Sequence, residues 1–203
     1  GRGTYTVDGT TCRTSELPAE LVPKLRACLV LLAPLLIRFR SATLPWPGGC
    51  AIGRRPIDLF FEGFEAFGIT VEEIAGAYRF HADNLHAARY VFPFVSVTGT
   101  ETLLLLAART PGTSIIENAA MEPEIPALAA FLNACGARVV GAGTPTITVT
   151  GVERLGGGTV TCIPDRIETG ALAALVAACG GVLEIRDCVP AHVSVPLRLL
   201  ATM

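Results

Sequence analysis

The sequence predicts an α/β fold built from repeated units of about seventy residues. Three observations predict it: helix-like and strand-like apolar segments alternate, their order recurs along the chain, and glycines follow the helix-like segments. With 51% hydrophobic and 17% charged residues over 203 positions, the chain has enough apolar surface for a substantial core. We expect the units to bury their apolar helix faces against one another.

The middle copy of the repeat shows the pattern most completely. A helix-like segment, a turn at 109–112 and a β-branched segment come first, and a second helix-like segment then ends at Gly136, as helices commonly do. The elements predicted for this copy are helices at 100–108 and 124–135 and strands at 113–117, 138–140 and 146–149.

The flanking copies repeat this order. In the first copy, Pro23 and Pro34 are expected to start or bend the helical stretch, and Gly68 closes the second helix. In the third copy, Gly180 and Gly181 form the turn after the first helix. The predicted elements are helices at 19–37 and 57–67 with a strand at 41–44 for the first copy, and helices at 169–179 and 193–202 with a strand at 182–185 for the third.

Charge and hydropathy exclude several classes of partner. The formal net charge of −2 leaves no broad basic surface for a nucleic-acid backbone or an anionic membrane. The most apolar stretch, residues 27–37, is about half as long as a membrane span, and Pro34 interrupts it. We therefore expect no nucleic-acid and no membrane partner, whereas a small anionic ligand needs only a few well-placed cations.

The seven cysteines include no C-x-x-C pair, and several lie in apolar helix-like segments. This odd set favours reduced thiols in a reducing compartment over a secreted disulfide framework. His81, His86 and His192 show no ligand spacing with each other or with the cysteines, so we expect no metal site. Because the chain starts at Gly1 and ends at Met203 just after a helix-like segment, we expect both natural ends to be missing.

One link in the first copy differs from its counterparts. Residues 45–56 are rich in glycine, proline and arginine, and Cys50 follows two glycines within them. The glycines give the backbone around Cys50 conformational freedom, which favours an exposed thiol. The positive charges of the nearby Arg54 and Arg55 favour the thiolate form of Cys50, and these side chains can also bind phosphate. These residue types favour acid or nucleophile chemistry beside a phosphate. An incidental loop cysteine with solvated arginines is an equal alternative from the residues alone.

At this loop the sequence resembles the UDP-N-acetylglucosamine 1-carboxyvinyltransferases. The resemblance is carried by Leu-Pro-x-Pro-Gly-Gly-Cys-Ala-Ile-Gly-Arg-Arg-Pro-Ile-Asp-Leu at 44–59. Further matching motifs stand at 62–68, 96–101, 116–124, 141–144, 151–155 and 163–170. Against the sister family of shikimate-pathway enolpyruvyl transferases, the Gly-Gly-Cys-x-Ile-Gly motif at 48–53 is the discriminating feature.

The resemblance implies an inside-out α/β barrel of two domains, each made of three βαβαββ units, with the active site between the domains. It assigns residues 1–161 to most of the first domain, as the end of one unit plus two further units. It assigns residues 162–203 to the crossover and the truncated start of the second domain. The chain is therefore expected to form an incomplete version of this fold.

The implied reaction transfers the enolpyruvyl group of phosphoenolpyruvate to UDP-N-acetylglucosamine, the first committed step of peptidoglycan precursor synthesis, in the cytoplasm. These two small molecules are the implied partners, and no cofactor is implied. Cys50 matches the family's mobile-loop cysteine, which is the expected general acid and the residue that fosfomycin alkylates. A general acid has to reach its carbon with its proton attached, so this loop is expected to close over the substrate.

The resemblance also implies a set of substrate-binding residues. Arg26 and Arg55 match arginines of the anion-binding cleft; from the residues alone, a surface charge is the preferred interpretation of Arg26. Asp58 can accept hydrogen bonds from a base or sugar, or serve as a helix N-cap. Asp165 and Arg166 match the crossover, where a structural pairing is an equal alternative. The full implied set is Arg26, Arg55, Pro56, Ile57, Asp58, Leu59, Ser96, Val97, Thr98, Asp165 and Arg166.

The sequence departs from the family at several positions. Phe60 stands where histidine is usual, Thr102 replaces a usual asparagine, and Phe94 stands where some members place a ligand-contacting lysine. The family's amino-terminal Lys-Asn pair, its later aspartate base and its cleft-closing arginine have no match in these residues. We therefore expect this chain by itself to be inactive.

Two alternatives to an enzyme fragment stay open. The chain can be a truncated or degenerate paralogue that binds a UDP-sugar without catalysis, or an α/β chain that folds and binds no ligand. A longer reading frame that carries the missing residues separates the enzyme from both alternatives.

Overall fold

A computed structural model describes residues 7–47 and 57–203. The chain divides into two compact units, Gly1–Gly158 and Thr159–Met203. The assignment of residues 1–161 and 162–203 to two enzyme domains stays a prediction. Among the described helices, none combines the length and the apolar character that crossing a bilayer requires.

Helices and strands alternate along the chain, which confirms the predicted α/β class. The α-helices are α1 (Leu32–Phe39), α2 (Asp58–Ala66), α3 (Val97–Ala107), α4 (Glu124–Ala134), α5 (Arg166–Cys179) and α6 (Ser194–Leu200). The strands are β1 (Ser41–Pro45), β2 (Thr70–Ile74), β3 (Ala77–His81), β4 (Arg89–Val91), β5 (Thr113–Glu117), β6 (Arg138–Val140) and β7 (Thr146–Thr150). Short 3-10 helices lie at Val22–Lys24, Arg26–Leu31 and Pro190–Val193.

The first unit contains two copies of one topology. In the second copy, β4 pairs in parallel with β5, while β5 and β6 both pair antiparallel with β7. In the first copy, β1 and β2 both pair antiparallel with β3, in the same relative order. A parallel bridge between Glu16 and Thr43 takes the place of β4. Both copies are therefore βαβαββ units, as the resemblance implies.

The second helix of each copy ends in the same way. Gly68 and Gly136 have left-handed backbones, with φ of 80° and 97°. The residue after each glycine donates a backbone hydrogen bond into the last turn, from Ile69 to Phe64 at 3.0 Å and from Ala137 to Leu132 at 2.9 Å. These Schellman-type ends need a left-handed residue that glycine supplies without strain. The prediction that these glycines end α2 and α4 is confirmed.

The stretch at 19–37 was predicted as helical, with Pro23 and Pro34 starting or bending it. In the structure it is not one continuous helix. Two 3-10 helices, Val22–Lys24 and Arg26–Leu31, precede α1. Pro23 lies in the first of them, and Pro34 lies in the first turn of α1. A proline is tolerated there because the first amides of a helix have no partner within it. The prolines therefore mark helix starts in this stretch.

The strand predicted at 182–185 is wrong. These residues have no regular secondary structure, and Val182 is fully exposed. A β-strand needs a neighbour to satisfy its backbone groups, and residues 159–203, all of which the structure describes, contain no strand. In this unit, apolar β-branched composition alone did not suffice to form a strand.

One hydrophobic core fills the first unit. Helix α3 lies at its centre, because it packs against α1, α2, α4 and β5 and is buried on most of its surface. The largest fully buried side chains come from both copies and are Phe64, Phe67, Phe80, Phe92, Leu29, Leu32, Leu36, Leu44, Ile69, Leu104, Leu106 and Ile116. Because α3 is packed against elements on several sides, its first turn has a fixed position.

Gly151 follows β7 where the chain passes the C-terminal end of α3. Its N–H donates to the Gly112 carbonyl at 2.9 Å, and Val152 N–H donates to the Ala108 carbonyl at 3.0 Å. A Cβ added to Gly151 overlaps the carbonyl oxygen of Thr110, a backbone atom that cannot turn aside. We expect Gly151→Ala to lower the free energy of unfolding by about 2 kcal/mol, measured by denaturant titration.

Gly157→Ala is the matched control for this prediction. A Cβ at Gly157 meets no atom within 4 Å, so we expect a change of at most about 0.5 kcal/mol. Equal stability of the two variants contradicts the close approach of residue 151 to α3.

Candidate functional site

Two of the segments predicted to bind substrate stand at helix starts. Ile57 is the N-cap of α2, which begins at Asp58. Ser96 is the N-cap of α3, and its Oγ accepts a hydrogen bond from Gly99 N–H at 3.1 Å. Helix starts carry amide donors and a partial positive charge, which suits an anionic ligand. The sequence-predicted segments 57–59 and 96–98 thus share one kind of local structure.

The first turns of α2 and α3 meet at Gly99. A Cβ placed on Gly99 lies 2.9 Å from Leu59 Cδ1 and 2.9 Å from Phe92 Cε1, closer than real Cβ contacts allow. The backbone of α3 therefore approaches the Leu59 side chain only because residue 99 has no side chain. This contact brings the segment 57–59 and the segment 96–98 together.

Tyr90 on β4 supports the first turn of α2 through a hydrogen bond. Its buried hydroxyl donates to the Leu59 carbonyl at 3.1 Å and lies 3.4 Å from Glu62 Oε2. Its ring packs edge-on against Phe92, with centroids 5.0 Å apart. Burial raises the pKa of Tyr90 to about 12, and the negative charge of Glu62 adds to the effect. A strand of the second copy therefore supports a helix of the first.

The predicted residues divide into exposed and packed groups. Asp58 is exposed, and Ser96, Val97 and Thr98 are partly exposed, so these four can meet a ligand. Leu59 has only 4% of its surface exposed, and its side chain is part of the core. Leu59 thus supports the site by packing, while polar groups of its neighbours face solvent.

A buried hydroxyl braces the first turn of α3. Thr100 Oγ1 donates to the Ser96 carbonyl at 2.8 Å and accepts from Ala120 N–H at 3.0 Å. Asn118 adopts a left-handed backbone with φ of 51° and donates from Nδ2 to the Phe92 carbonyl at 2.9 Å. The loop after β5 therefore holds the chain both before and inside the first turn of α3.

Sequence reasoning did not single out Tyr90, Gly99, Thr100 or Asn118. Gly99, Thr100 and Asn118 lie within the matched motifs at 96–101 and 116–124, so the motifs do point to the segments that contain them. Tyr90 carries no such signal, because its role depends on a contact with a residue of the preceding copy.

The departures from the family pattern have distinct structural settings. Phe60 is 4% exposed and belongs to the core. Thr102 is fully buried and donates to the Thr98 carbonyl at 2.7 Å. Phe94, by contrast, is 48% exposed just before α3. Two of the three changes are therefore accommodated in the interior, and one alters the surface beside the first turn of α3.

Electrostatics near α3 include a carboxyl group of altered acidity. Burial raises the pKa of Glu101, and the negative charge of Glu124 raises it further. The carboxyl groups of Glu101 on α3 and Glu124 on α4 therefore lie close enough to repel each other.

The remaining predicted residues belong to other elements or are not described. Arg26 is partly buried at the first position of a 3-10 helix that packs against α3. In the second unit, Asp165 is the N-cap of α5 and accepts hydrogen bonds from the amides of Ile167 and Glu168, at 2.8 and 3.1 Å. Arg166 is the first residue of α5. Any ligand contact by Arg26, Asp165 or Arg166 stays a prediction, and Cys50, Arg55 and Pro56 lie outside the described residues.

A cavity of about 310 Å³ lies between α1 and α3, and none of the predicted residues that the structure describes lines it. Its lining is mostly apolar and consists of Pro34, Ile37, Leu105, Arg109, Arg154 and Leu155. Arg109 Nη1 donates to the Val152 carbonyl at 3.0 Å, so this guanidinium already holds the chain that follows β7. The convergent helix starts, and not this cavity, form the candidate site.

Tyr90→Phe tests the support beneath α2. We expect it to lower the free energy of unfolding at neutral pH by about 1 kcal/mol, because the buried Leu59 carbonyl loses its donor. The raised pKa means that the folded state favours the protonated phenol; this stabilisation is complete below pH 10.0 and is lost as the pH rises through about 12. We therefore expect the variant to lose less stability than the parent between these pH values in denaturant titrations.

Tyr78→Phe is the control, since Tyr78 on β3 is partly buried and its hydroxyl makes no hydrogen bond among the described residues. We expect this variant to match the parent's stability at neutral pH within about 0.5 kcal/mol, because the substitution removes no hydrogen bond between described residues. A Tyr90→Phe profile parallel to that of the parent contradicts the assignment.

Comparisons with known proteins identify the family. The sequence model of the family described as EPSP synthase (3-phosphoshikimate 1-carboxyvinyltransferase) matches residues 3–203. Among solved structures, the chain is similar to the enolpyruvyl transferase NikO from Streptomyces tendae, at 26% identity and a TM-score of 0.68, over 78% of this chain and 38% of that one. It shares its fold with the EPSP synthase from Acinetobacter baumannii, at 21% identity and a TM-score of 0.54, over 75% of this chain and 34% of that one.

These figures also define the extent of the match. The chain spans 38% and 34% of the lengths of these two relatives. The family match, in contrast, covers nearly all of the present sequence, and the solved structures reproduce its α/β fold. The chain therefore belongs to the EPSP synthase family of enolpyruvyl transferases.

Proposed function

We propose that this chain is part of a cytoplasmic enzyme that transfers the enolpyruvyl group of phosphoenolpyruvate to UDP-N-acetylglucosamine, the first committed step of peptidoglycan precursor synthesis. Family membership supports enolpyruvyl transfer. The motif at 48–53 supports a UDP-sugar acceptor, and it lies outside the described residues. The cysteine composition supports a reducing compartment such as the cytoplasm.

The observation that carries the proposal is the contact between the first turns of α2 and α3. Two helix starts at one place concentrate amide donors and positive partial charge, which favours a diphosphate. The N-cap of α2 is Ile57, whose side chain has no acceptor for the first amides. A ligand phosphate can supply that acceptor, while the exposed Asp58 carboxylate accepts hydrogen bonds from a base or sugar.

In the proposed reaction, Cys50 acts as the general acid. Its thiol gives a proton to the methylene carbon of phosphoenolpyruvate while the 3-hydroxyl oxygen of the sugar bonds to the adjacent carbon and loses its own proton to a base. The tetrahedral intermediate then releases phosphate and a proton from the new methyl group, which restores the double bond. The base has no match in these residues, so this chain is expected to contribute binding and the acid but no turnover by itself.

The description of the matching family favours a second acceptor, 3-phosphoshikimate. This acceptor also carries a phosphate, so helix starts alone do not separate the two. The Gly-Gly-Cys-x-Ile-Gly motif favours the UDP-sugar. A chain that binds the UDP-sugar without any catalytic partner segment remains the non-enzymatic alternative.

Calorimetric titration separates these acceptors. We expect UDP-N-acetylglucosamine to give saturable heat and shikimate 3-phosphate to give none. We also expect Gly99→Ala to lower the affinity for UDP-N-acetylglucosamine by about tenfold, because the added Cβ displaces Leu59 and separates the first turns of α2 and α3. Gly157→Ala is the control and should bind like the parent.

Each other outcome of this titration has a defined meaning. Saturable heat with shikimate 3-phosphate alone overturns the proposed acceptor in favour of the second one. No heat with either ligand, from a chain whose circular dichroism shows it folded, counts for a protein that folds without this ligand. Equal affinity of the parent and Gly99→Ala contradicts the proposed site.

The proposed acid predicts an order of thiol reactivity. We expect Cys50 to be alkylated before the other six cysteines, because neighbouring arginines favour the thiolate. Cys28 should react last, since it is buried and its burial raises the pKa of the thiol. Mass spectrometry after limiting alkylation measures the order.

The thiols of Cys162 and Cys179 are the internal reference, because both are exposed. Labelling of either one ahead of Cys50 argues against an activated thiol in the loop. Labelling of Cys12 or Cys188 first has the same meaning, as both are only partly exposed.

A further inference from the structure

We propose that Thr100 is a positioning residue for the nucleotide part of the substrate, an inference that rests on the proposed function. Thr100 is fully buried, so it cannot touch a ligand. Its hydroxyl instead joins two segments, donating to the Ser96 carbonyl at 2.8 Å and accepting from Ala120 N–H at 3.0 Å. The hydroxyl therefore ties the first turn of α3 to the loop after β5.

The second of these bonds distinguishes Thr100 from its neighbours. A hydrogen bond from a helical threonine to the carbonyl four residues earlier is common. Thr102 and Thr110 make that bond too, to Thr98 at 2.7 Å and to Leu106 at 2.8 Å. Among the described threonines that make this helical bond, only Thr100 has a hydroxyl that also accepts from an amide of another segment.

The loop that donates to Thr100 is itself held at two further points. Asn118 Nδ2 donates to the Phe92 carbonyl at 2.9 Å, and Ala119 N–H donates to the Pro145 carbonyl at 3.0 Å. Asn118 has a left-handed backbone, which a residue with a Cβ keeps only where its surroundings enforce it. The loop is thus a fixed support and not a second movable part.

Together these bonds hold the stretch 92–100 at both ends. Asn118 holds it at Phe92, and the Ala120 amide holds it at Thr100. Between these points lie Ser96, Val97 and Thr98, the segment proposed to contact the nucleotide. A segment ordered before binding loses less conformational freedom when the ligand arrives, so its affinity is higher. Thr100 therefore acts on nucleotide affinity through the backbone of residues 96–98.

Three variants test this role in the chain as it stands. Thr100→Val removes the hydroxyl and keeps the shape, and we expect about tenfold weaker binding of UDP-N-acetylglucosamine in calorimetric titration. Thr100→Ser keeps the hydroxyl and should retain the parent affinity even though its lost methyl lowers the melting temperature. Thr110→Val removes the same kind of helical bond, to Leu106 at the far end of α3, and should also retain affinity.

Hydrogen exchange supplies a readout that does not need a ligand. We expect Thr100→Val to speed amide exchange in the peptide 92–102, while Thr100→Ser and Thr110→Val leave it near the parent rate. Parent-like affinity and exchange in Thr100→Val overturn the proposal, as does affinity that follows the melting temperature across the three variants. If the parent binds no UDP-N-acetylglucosamine, the proposed function fails and with it the nucleotide role, whereas faster exchange in Thr100→Val still identifies the tie between α3 and its loop.

Discussion

The close approach of Leu59 to Gly99 sets the position of everything else at the candidate site. It joins the first turn of α2, from one copy of the repeat, to the first turn of α3, from the next. Tyr90 then fixes the α2 side through the Leu59 carbonyl, and Phe92 packs against both Tyr90 and Gly99. A Cβ at position 99 would overlap Leu59 Cδ1 and Phe92 Cε1, so the glycine lets the two candidate binding segments lie in direct contact.

The repeated unit explains why this contact is dependable. The first helix of each copy contributes buried residues to the shared core, and the central α3 packs against α1, α2 and α4. Many buried side chains therefore fix the position of its first turn. The chemistry proposed for the chain belongs to a different segment, the insertion at 45–56 that only the first copy carries. Scaffold and reactive group are thus separate parts of one unit.

The positions of the departures from the family pattern, in the interior or on the surface, indicate which of them can affect a ligand. Phe60 and Thr102 are interior residues here, so each replaces a polar side chain by one that suits the core or bonds to its own helix. Phe94 remains on the surface immediately before the candidate nucleotide segment. An aromatic side chain at that point offers stacking area where a lysine offers charge, which bears on ligand preference more directly than the two interior changes do.

The sequence by itself determined the elements that depend on local pattern. The strands at 113–117 and 138–140, the glycine ends of α2 and α4, and the repeat order all follow from apolar periodicity and backbone preference, and all are present. The segments 57–59 and 96–98 were also predicted as substrate-binding from motifs alone, and that role stays a prediction. Only the tertiary structure decided that these segments meet, that Tyr90, Thr100 and Asn118 support them, and that residues 182–185 form no strand. Such facts depend on partners distant in the chain, and the character of a single segment does not specify its partner.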